Sequence, residues 1–227
     1  MNLPADYWQT LRLTLALAAC TTALLLVLGL PLAYALAYGR SRLKPLAEAV
    51  VSLPLVLPPT VIGFYLLVAF SDSSALGRFL IDKLGVSLNF TFPGILVGSL
   101  VYSLPFMVQP LQAGFGQVPR SLREAAYTLG KSRLATLWRV LLPNMRPALL
   151  NGLVLTFAHT LGEFGVVLML GGSLPGTTRV ASIAIYDEVQ SLHYAQANAY
   201  ALTLLGVAFV ILVALYWFTK RDAARLS

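Results

Sequence analysis

The chain has 227 residues, of which 58% are hydrophobic and 11% charged, and its mean hydropathy is +0.77; a soluble domain, at about 25% charged, needs more polar surface than this composition supplies. The net charge of +7 does not point to nucleic acid, because the basic residues lie between apolar runs rather than along one face or among interleaved aromatics. A single cysteine, Cys20, sits inside an apolar run, which excludes a disulfide framework and a cysteine metal site within one chain.

Stretches of about 20 apolar residues mark candidate membrane spans, and five occur. The first, residues 13–38, follows Asp6 rather than a basic region and is longer than the apolar core of a signal peptide, so it is expected to remain as a mature span. The second, 47–70, contains Pro54, Pro58, Pro59 and Gly63. The third, 92–115, contains Pro105, Pro110 and the pair Gly94 and Gly98, whose spacing lets two helices approach closely. The fourth, 149–170, carries Gly162 and Gly165, and the fifth covers 195–218. Proline removes a helix hydrogen bond, and in lipid the freed carbonyl must find a partner inside protein or in a water-lined cavity. Interrupted spans therefore belong toward the centre of an assembly, and Pro58, Pro59, Thr60, Gly162, Glu163 and Gly165 are the candidate pathway or gate residues. The loops 71–91 and 171–194 are long, mixed in charge and partly apolar, which predicts short re-entrant or surface-packed segments.

Lysine and arginine are retained on the cytoplasmic side. Arg40, Arg42 and Lys44 follow the first span, Arg120, Arg123, Lys131, Arg133, Arg139 and Arg146 lie between the third and fourth, and Lys220, Arg221 and Arg225 follow the fifth. Twelve of the 16 basic residues thus fall on one side. The expected protein is an all-α integral membrane protein, a single membrane domain over 1–227 with five transmembrane helices, its N-terminus outside and its C-terminus cytoplasmic.

The segment 119–142 combines helix formers with Leu122, Ala125, Ala126, Leu129, Leu134, Leu137 and Trp138, separated by basic positions and bounded by Pro119 and Pro143. It predicts a cytoplasmic helical hairpin broken at Gly130; a helix pair lying on the lipid surface is the simpler alternative. Gly130-Lys131-Ser132 looks like the end of a phosphate-binding loop, but the first glycine of that motif would fall at Ala125 and no strand precedes it, so no nucleotide site is expected here.

Glu124-Ala125-Ala126, then Gly130, then Val140, Leu142 and Pro143 resemble the E-A-A, G, I-x-L-P pattern of permease subunits of binding-protein-dependent ABC importers, with nine residues between Gly130 and Val140 and valine in place of isoleucine. The resemblance covers essentially the whole chain, about 10–218 as permease core and 117–147 as cytoplasmic coupling loop. It implies that Glu124, Ala125, Ala126, Gly130 and Pro143 form the element that docks on an ATPase subunit. The chemistry suits that role: two alanines permit close approach, Glu124 can pair with a partner's cation, and Gly130 allows a sharp bend. The resemblance further implies a second copy of the chain, a cytoplasmic ABC ATPase dimer holding ATP and Mg, and an extracytoplasmic binding protein, in the cytoplasmic (inner) membrane of a prokaryote. No cofactor, metal or catalytic residue is expected in this chain.

Two segments narrow the resemblance: the stretch from Leu53 to Gly63, and Gly162-Glu163-Phe164-Gly165 with the run from Thr178 to Tyr186, are similar to molybdate permeases. Tungstate and sulfate or thiosulfate are the alternative cargoes, and molybdate is the reading adopted. The only ionisable groups expected at membrane depth in spans two to five are His159 and Glu163, four apart and so on one helix face. That favours a transient, low-affinity route lined by hydroxyls near Thr60, Ser103 and Thr156 over a tight anion cage. A fixed negative charge opposes a dianion, so Glu163 reads as a structural or hinge residue, with a proton relay as the alternative. Arg179 could attract an oxyanion or contact a binding protein, or form a solvated surface pair with Asp187 or Glu188. The rival classes are an ATPase-independent secondary anion transporter, for which no inverted repeat is evident, and an intramembrane enzyme, for which no triad or H-E-x-x-H spacing exists.

Overall fold

The first apolar run folds as one uninterrupted helix, α1 (Tyr7–Tyr38), in a computed structural model that describes residues 4–223. It starts six residues earlier than hydropathy alone predicts. Gln9, Thr10 and Arg12 dilute the apolar signal there, yet Tyr7, Thr10 and Leu11 are buried, the two apolar ones against Ala181, Ala184 and Tyr200. Pro31 lies inside this helix without ending it.

The second run does break. α2 (Lys44–Val56) and α3 (Pro59–Ala69) meet at an angle of 111°. The cause is local: a residue preceding proline avoids the helical region, and here two do so in succession, Leu57 at ψ 138° and Pro58 at ψ 138°. The loop that follows contains α4 (Ala75–Leu84), capped by the Ser74 hydroxyl, which accepts from the Gly77 N–H at 2.8 Å.

The long helix α5 (Phe92–Gln117) occupies the centre, packed on α1, α9 (Arg146–Leu161) and α10 (Gly165–Gly171). Ile95, Ser99, Ser103, Met107, Leu111 and Phe115, spaced four apart along one side, are all fully buried. Pro105 and Pro110 are accommodated within it, so the expected interruption of this span does not occur. Helix association in lipid relies on close packing rather than on a hydrophobic drive. Gly98 serves it as expected, facing Val166 and Leu170 of α10, whereas Gly94 packs on the backbone of Leu88 in its own preceding loop.

Between α5 and α9 the hairpin is present: α6 (Arg120–Thr128), α7 (Arg133–Thr136), a wide π turn at Leu137–Leu141, and α8 (Leu142–Asn144). The fourth run is broken between α9 and α10, at residues 162–164. The loop after it contains α11 (Ala181–Gln190), and α12 (Tyr194–Ala223) closes the bundle, lying on α11 and α9. Both long loops thus carry the short packed helices the sequence suggests. Among the described residues every regular element is helical. Three helices, α1, α5 and the part of α12 at Tyr194–Ala214, are individually long and apolar enough to cross a membrane, and there are up to five spans if each bent pair counts as one.

Buried side chains form three clusters stacked along the bundle. One joins α1 and α5 to the hairpin through Leu25, Leu36, Met107, Phe115, Leu141 and Met145. A second surrounds α10 through Leu17, Ile62, Ile95, Val166, Leu170 and Ile183, and the third holds the start of α1 to α11 and α12.

Candidate functional site

The two chain breaks face each other. Pro59 and Thr60, at the start of α3, and Gly162, Glu163, Phe164 and Gly165, between α9 and α10, line one cleft of about 340 Å³ with Tyr102 and His159. Five of the six residues singled out for a pathway, Pro59, Thr60, Gly162, Glu163 and Gly165, therefore converge although about a hundred residues separate the two segments. Pro58 is exposed just before them, at the bend. Gly165 is what allows the breaks to meet: a Cβ there would lie 2.9 Å from Pro59 Cβ and 3.3 Å from the Thr60 backbone nitrogen. Gly162 is exposed and would tolerate one, with nothing nearer than 3.9 Å.

Tyr102 joins the lining without a signal in the sequence, since an aromatic in an apolar helix carries none of its own, and Phe164 joins it from the break itself. The lining residues with polar side chains are Thr60, Tyr102, His159 and Glu163, the Glu163 carboxyl oxygens being buried, and the lining contains no lysine or arginine. His159 stacks on Phe106 at 3.9 Å and its Nδ1 lies 2.9 Å from Ser103 Oγ, which also contacts Thr160 Oγ1 at 3.0 Å. Because α9 ends at Leu161, His159 and Glu163 do not share a continuous helix face, although both reach the cleft. Glu163 is 4% exposed; among the described residues its carboxyl interacts with the Ser99 hydroxyl, but neither group completes a hydrogen bond of ordinary geometry. The backbone carbonyl of Glu163 accepts a hydrogen bond from the Ser182 hydroxyl of α11. Ser103 and Thr156 are fully buried inside the bundle, Thr156 Oγ1 donating to the Gly152 carbonyl at 2.7 Å, so of the three hydroxyls expected along a route only Thr60 is exposed.

At the hairpin, Glu124 and Ala125 are exposed, while Ala126 is 5% exposed and turned into the protein's own fold. The expectation of two alanines on an outward face therefore reduces to one: a further step of about 100° round the helix carries Ala126 from the exposed side of Glu124 and Ala125 to the packed side. Gly130 adopts φ +71°, the left-handed region, which ends α6 and reverses the chain, and the Lys131 N–H closes the turn on the Ala126 carbonyl at 3.0 Å. Pro143 is exposed at the far end. Leu122, Leu129, Leu134 and Trp138 leave an apolar surface outside. Arg123 anchors the hairpin inward, its guanidinium 4.1 Å above the Tyr38 ring, whose hydroxyl donates to the Phe115 carbonyl at 2.8 Å.

Arg179 forms a third constellation. Its Nη1 donates to Asp6 Oδ2 at 2.7 Å, Nε to Asp187 Oδ2 at 3.1 Å and Nη2 to Glu188 Oε1 at 3.1 Å. The side chain is 12% exposed, so the pairing with Asp187 and Glu188 is present but mostly buried, Asp187 keeping a third of its side chain exposed, and Asp6 joins it from before α1. Burial alone would lower the pKa of Arg179; the three carboxylates outweigh it and hold the guanidinium above its ordinary value.

Comparison with known proteins agrees with this geometry. The chain is 49% identical over 218 residues to the molybdenum transport system permease protein ModB of Azotobacter vinelandii, covering 96% of each chain. It is 32% identical over 231 aligned positions to the sulfate transport system permease protein CysT of Salmonella typhimurium, covering 98% of this chain and 83% of that one. A solved bacterial ABC transporter involved in the import of the acidic polysaccharide alginate contains a chain of the same fold, with a TM-score of 0.79 at 19% identity over 96% of this chain and 80% of that chain. Residues 9–223 match the family described as binding-protein-dependent transport system inner membrane component, and the chain belongs to that family.

Proposed function

We propose that this chain is the membrane subunit of an ATP-driven importer that carries molybdate inward by alternating access. Two copies would form the route at their interface, with five spans each, the N-terminus outside and the hairpin in the cytoplasm. A cytoplasmic ATPase dimer would hold ATP and Mg, and an extracytoplasmic binding protein would deliver the anion. The observation that carries the cargo is the 49% identity, over 96% of both chains, to a molybdenum transport permease, against 32% to a sulfate permease.

The geometry supports this reading at three places. Glu124, Ala125 and Pro143 stand exposed on a hairpin bent by Gly130 and braced from inside by Ala126, a shape that suits docking into a cleft of another protein. Pro59, Thr60, Gly162, Glu163 and Gly165, with Pro58 at the bend just before them, bring two broken helices together at a cleft with hydroxyl groups and no lysine or arginine, the lining of a route that lets a dianion pass without trapping it. The Arg179 cluster would brace the outer surface that a binding protein meets.

The test is uptake of labelled molybdate into vesicles holding this chain with its ATPase and binding protein. ATP-dependent uptake blocked by tungstate but not by excess sulfate is the expected result. A preference for sulfate overturns the cargo, and uptake without the ATPase overturns the mechanism.

A further inference from the structure

A groove of about 300 Å³ opens where α1 meets the hairpin, lined by Leu30, Pro31, Tyr34, Arg133, Leu134 and Leu137. Apart from the Tyr34 hydroxyl and the Arg133 guanidinium, the lining side chains are hydrocarbon or ring, and Leu134 is 65% exposed. Tyr34 lies four residues before the end of α1 and Leu30 eight, so at about 1.5 Å per residue the groove reaches about 12 Å along the helix from its hairpin end. Arg133 sits at the start of α7, on the hairpin side. Among the described residues Arg133 has no carboxylate partner, nor have Arg120, Lys131, Arg139 and Arg146, and the hairpin holds one acid, Glu124. Tyr127 and Trp138 are exposed on the same hairpin, the residue types that collect at the boundary between hydrocarbon and water.

We propose that this groove is a binding site for an anionic phospholipid, with an acyl chain along Leu30, Pro31 and Leu137 and the phosphate at Arg133. The proposal rests on the membrane-subunit reading above. An extended peptide laid in the groove would turn its backbone N–H and C=O groups toward a wall with almost nothing to pair them, whereas an acyl chain requires no partner and its headgroup meets a guanidinium with no carboxylate partner among the described residues. A lipid held there wedges α1 against α7, so the anionic content of the bilayer sets the posture of the hairpin.

The experiment uses the full transporter in phosphatidylcholine nanodiscs doped with spin-labelled phosphatidylglycerol, reading the immobilised lipid fraction, with ATP-driven molybdate uptake measured in parallel proteoliposomes. Arg133→Gln is expected to weaken retention about fivefold, the factor for one basic residue at an anionic surface, and Leu134→Glu, at an exposed position, to abolish it by placing a like charge beside the phosphate. Arg146→Gln, on the hairpin but outside the lining, leaves retention unchanged. Equal loss from Arg146→Gln would overturn the site in favour of diffuse surface charge. Displacement of the label by inorganic phosphate alone would reduce it to an ion site. Normal uptake with no immobilised lipid would overturn the lipid site, while immobilised lipid without uptake would leave the lipid site standing and overturn the transport reading.

Discussion

Replacing Gly165 by alanine tests whether the close approach of the two broken helices matters. The added methyl would stand 2.9 Å from Pro59 Cβ, 3.0 Å from Pro59 Cγ and 3.3 Å from the Thr60 backbone nitrogen. Ordinary contact begins near 3.4 Å, so α10 and α3 must separate by about 0.5 Å. The proline ring is bonded into the backbone and cannot rotate away, which places the strain on the helix pair itself. Overpacking of this kind costs about 1–3 kcal/mol, and at about 1.4 kcal/mol per factor of ten a bias of about 2 kcal/mol, the middle of that range, should lower ATP-driven molybdate uptake about thirtyfold and lower the thermal midpoint of the purified complex. Gly162→Ala is the control from the same break: its methyl meets nothing nearer than 3.9 Å, and uptake should stay within about twofold, as for substitutions that touch nothing. Proteoliposome uptake normalised to inserted protein decides the matter. Wild-type uptake with an unchanged midpoint in Gly165→Ala would refute the claim that this contact shapes the cleft.

Gly130→Ala should cost about 1–2 kcal/mol through the left-handed backbone alone, since no atom crowds the position, and should reduce binding to the ATPase in a pull-down; Gly130→Asn, which tolerates that region, should be milder. Glu163→Gln keeps the shape of a buried side chain whose oxygens complete no hydrogen bond of ordinary geometry among the described residues, so uptake measured from pH 6 to 8 should keep its profile, and a displaced profile would assign Glu163 to a proton relay. Arg179→Ala leaves three carboxylates facing one another and should cost about 3 kcal/mol, the low end for a broken buried pair because Asp187 is a third exposed; Arg179→Lys should rescue little, as one ammonium cannot span three acids in a fork geometry, and thermal unfolding of both variants reads the difference. Thr14→Val removes the acceptor of the Ala181 N–H, a bond of 2.8 Å at the start of α11, and should cost about 1–3 kcal/mol of stability for the buried donor left unpaired.

Much of this architecture was legible because its causes are local. Successive prolines forbid a helix at Leu57 and Pro58 whatever surrounds them, and the left-handed turn at Gly130 could be placed from the hairpin's spacing. Pro105, Pro110 and Pro31 show the limit: the same residue type leaves a helix intact, because neighbouring helices on α5 and α1 over-determine its course. The pathway residues were found as two separate segments, and nothing in either one states that Gly165 would meet Pro59. The partner Asp6 of Arg179 lies 173 positions away and was invisible for the same reason. Ala126 shows a simpler limit, since an alanine has no polar end to reveal which way it faces.

The length of α1 has a mechanical consequence. At 32 residues and about 1.5 Å per residue it is a strut of about 48 Å, touched near one end by Arg123 of the hairpin and fixed at the other through Tyr7 to Tyr200 and Ala199. A rigid strut turns a small angle into a large displacement: a tilt of about 5° at the hairpin end carries the far end about 4 Å. Pro31, seven residues from the hairpin end, is the one point along it where a backbone hydrogen bond is missing by chemistry, so a push delivered there divides between swinging the whole lever and flexing its short arm.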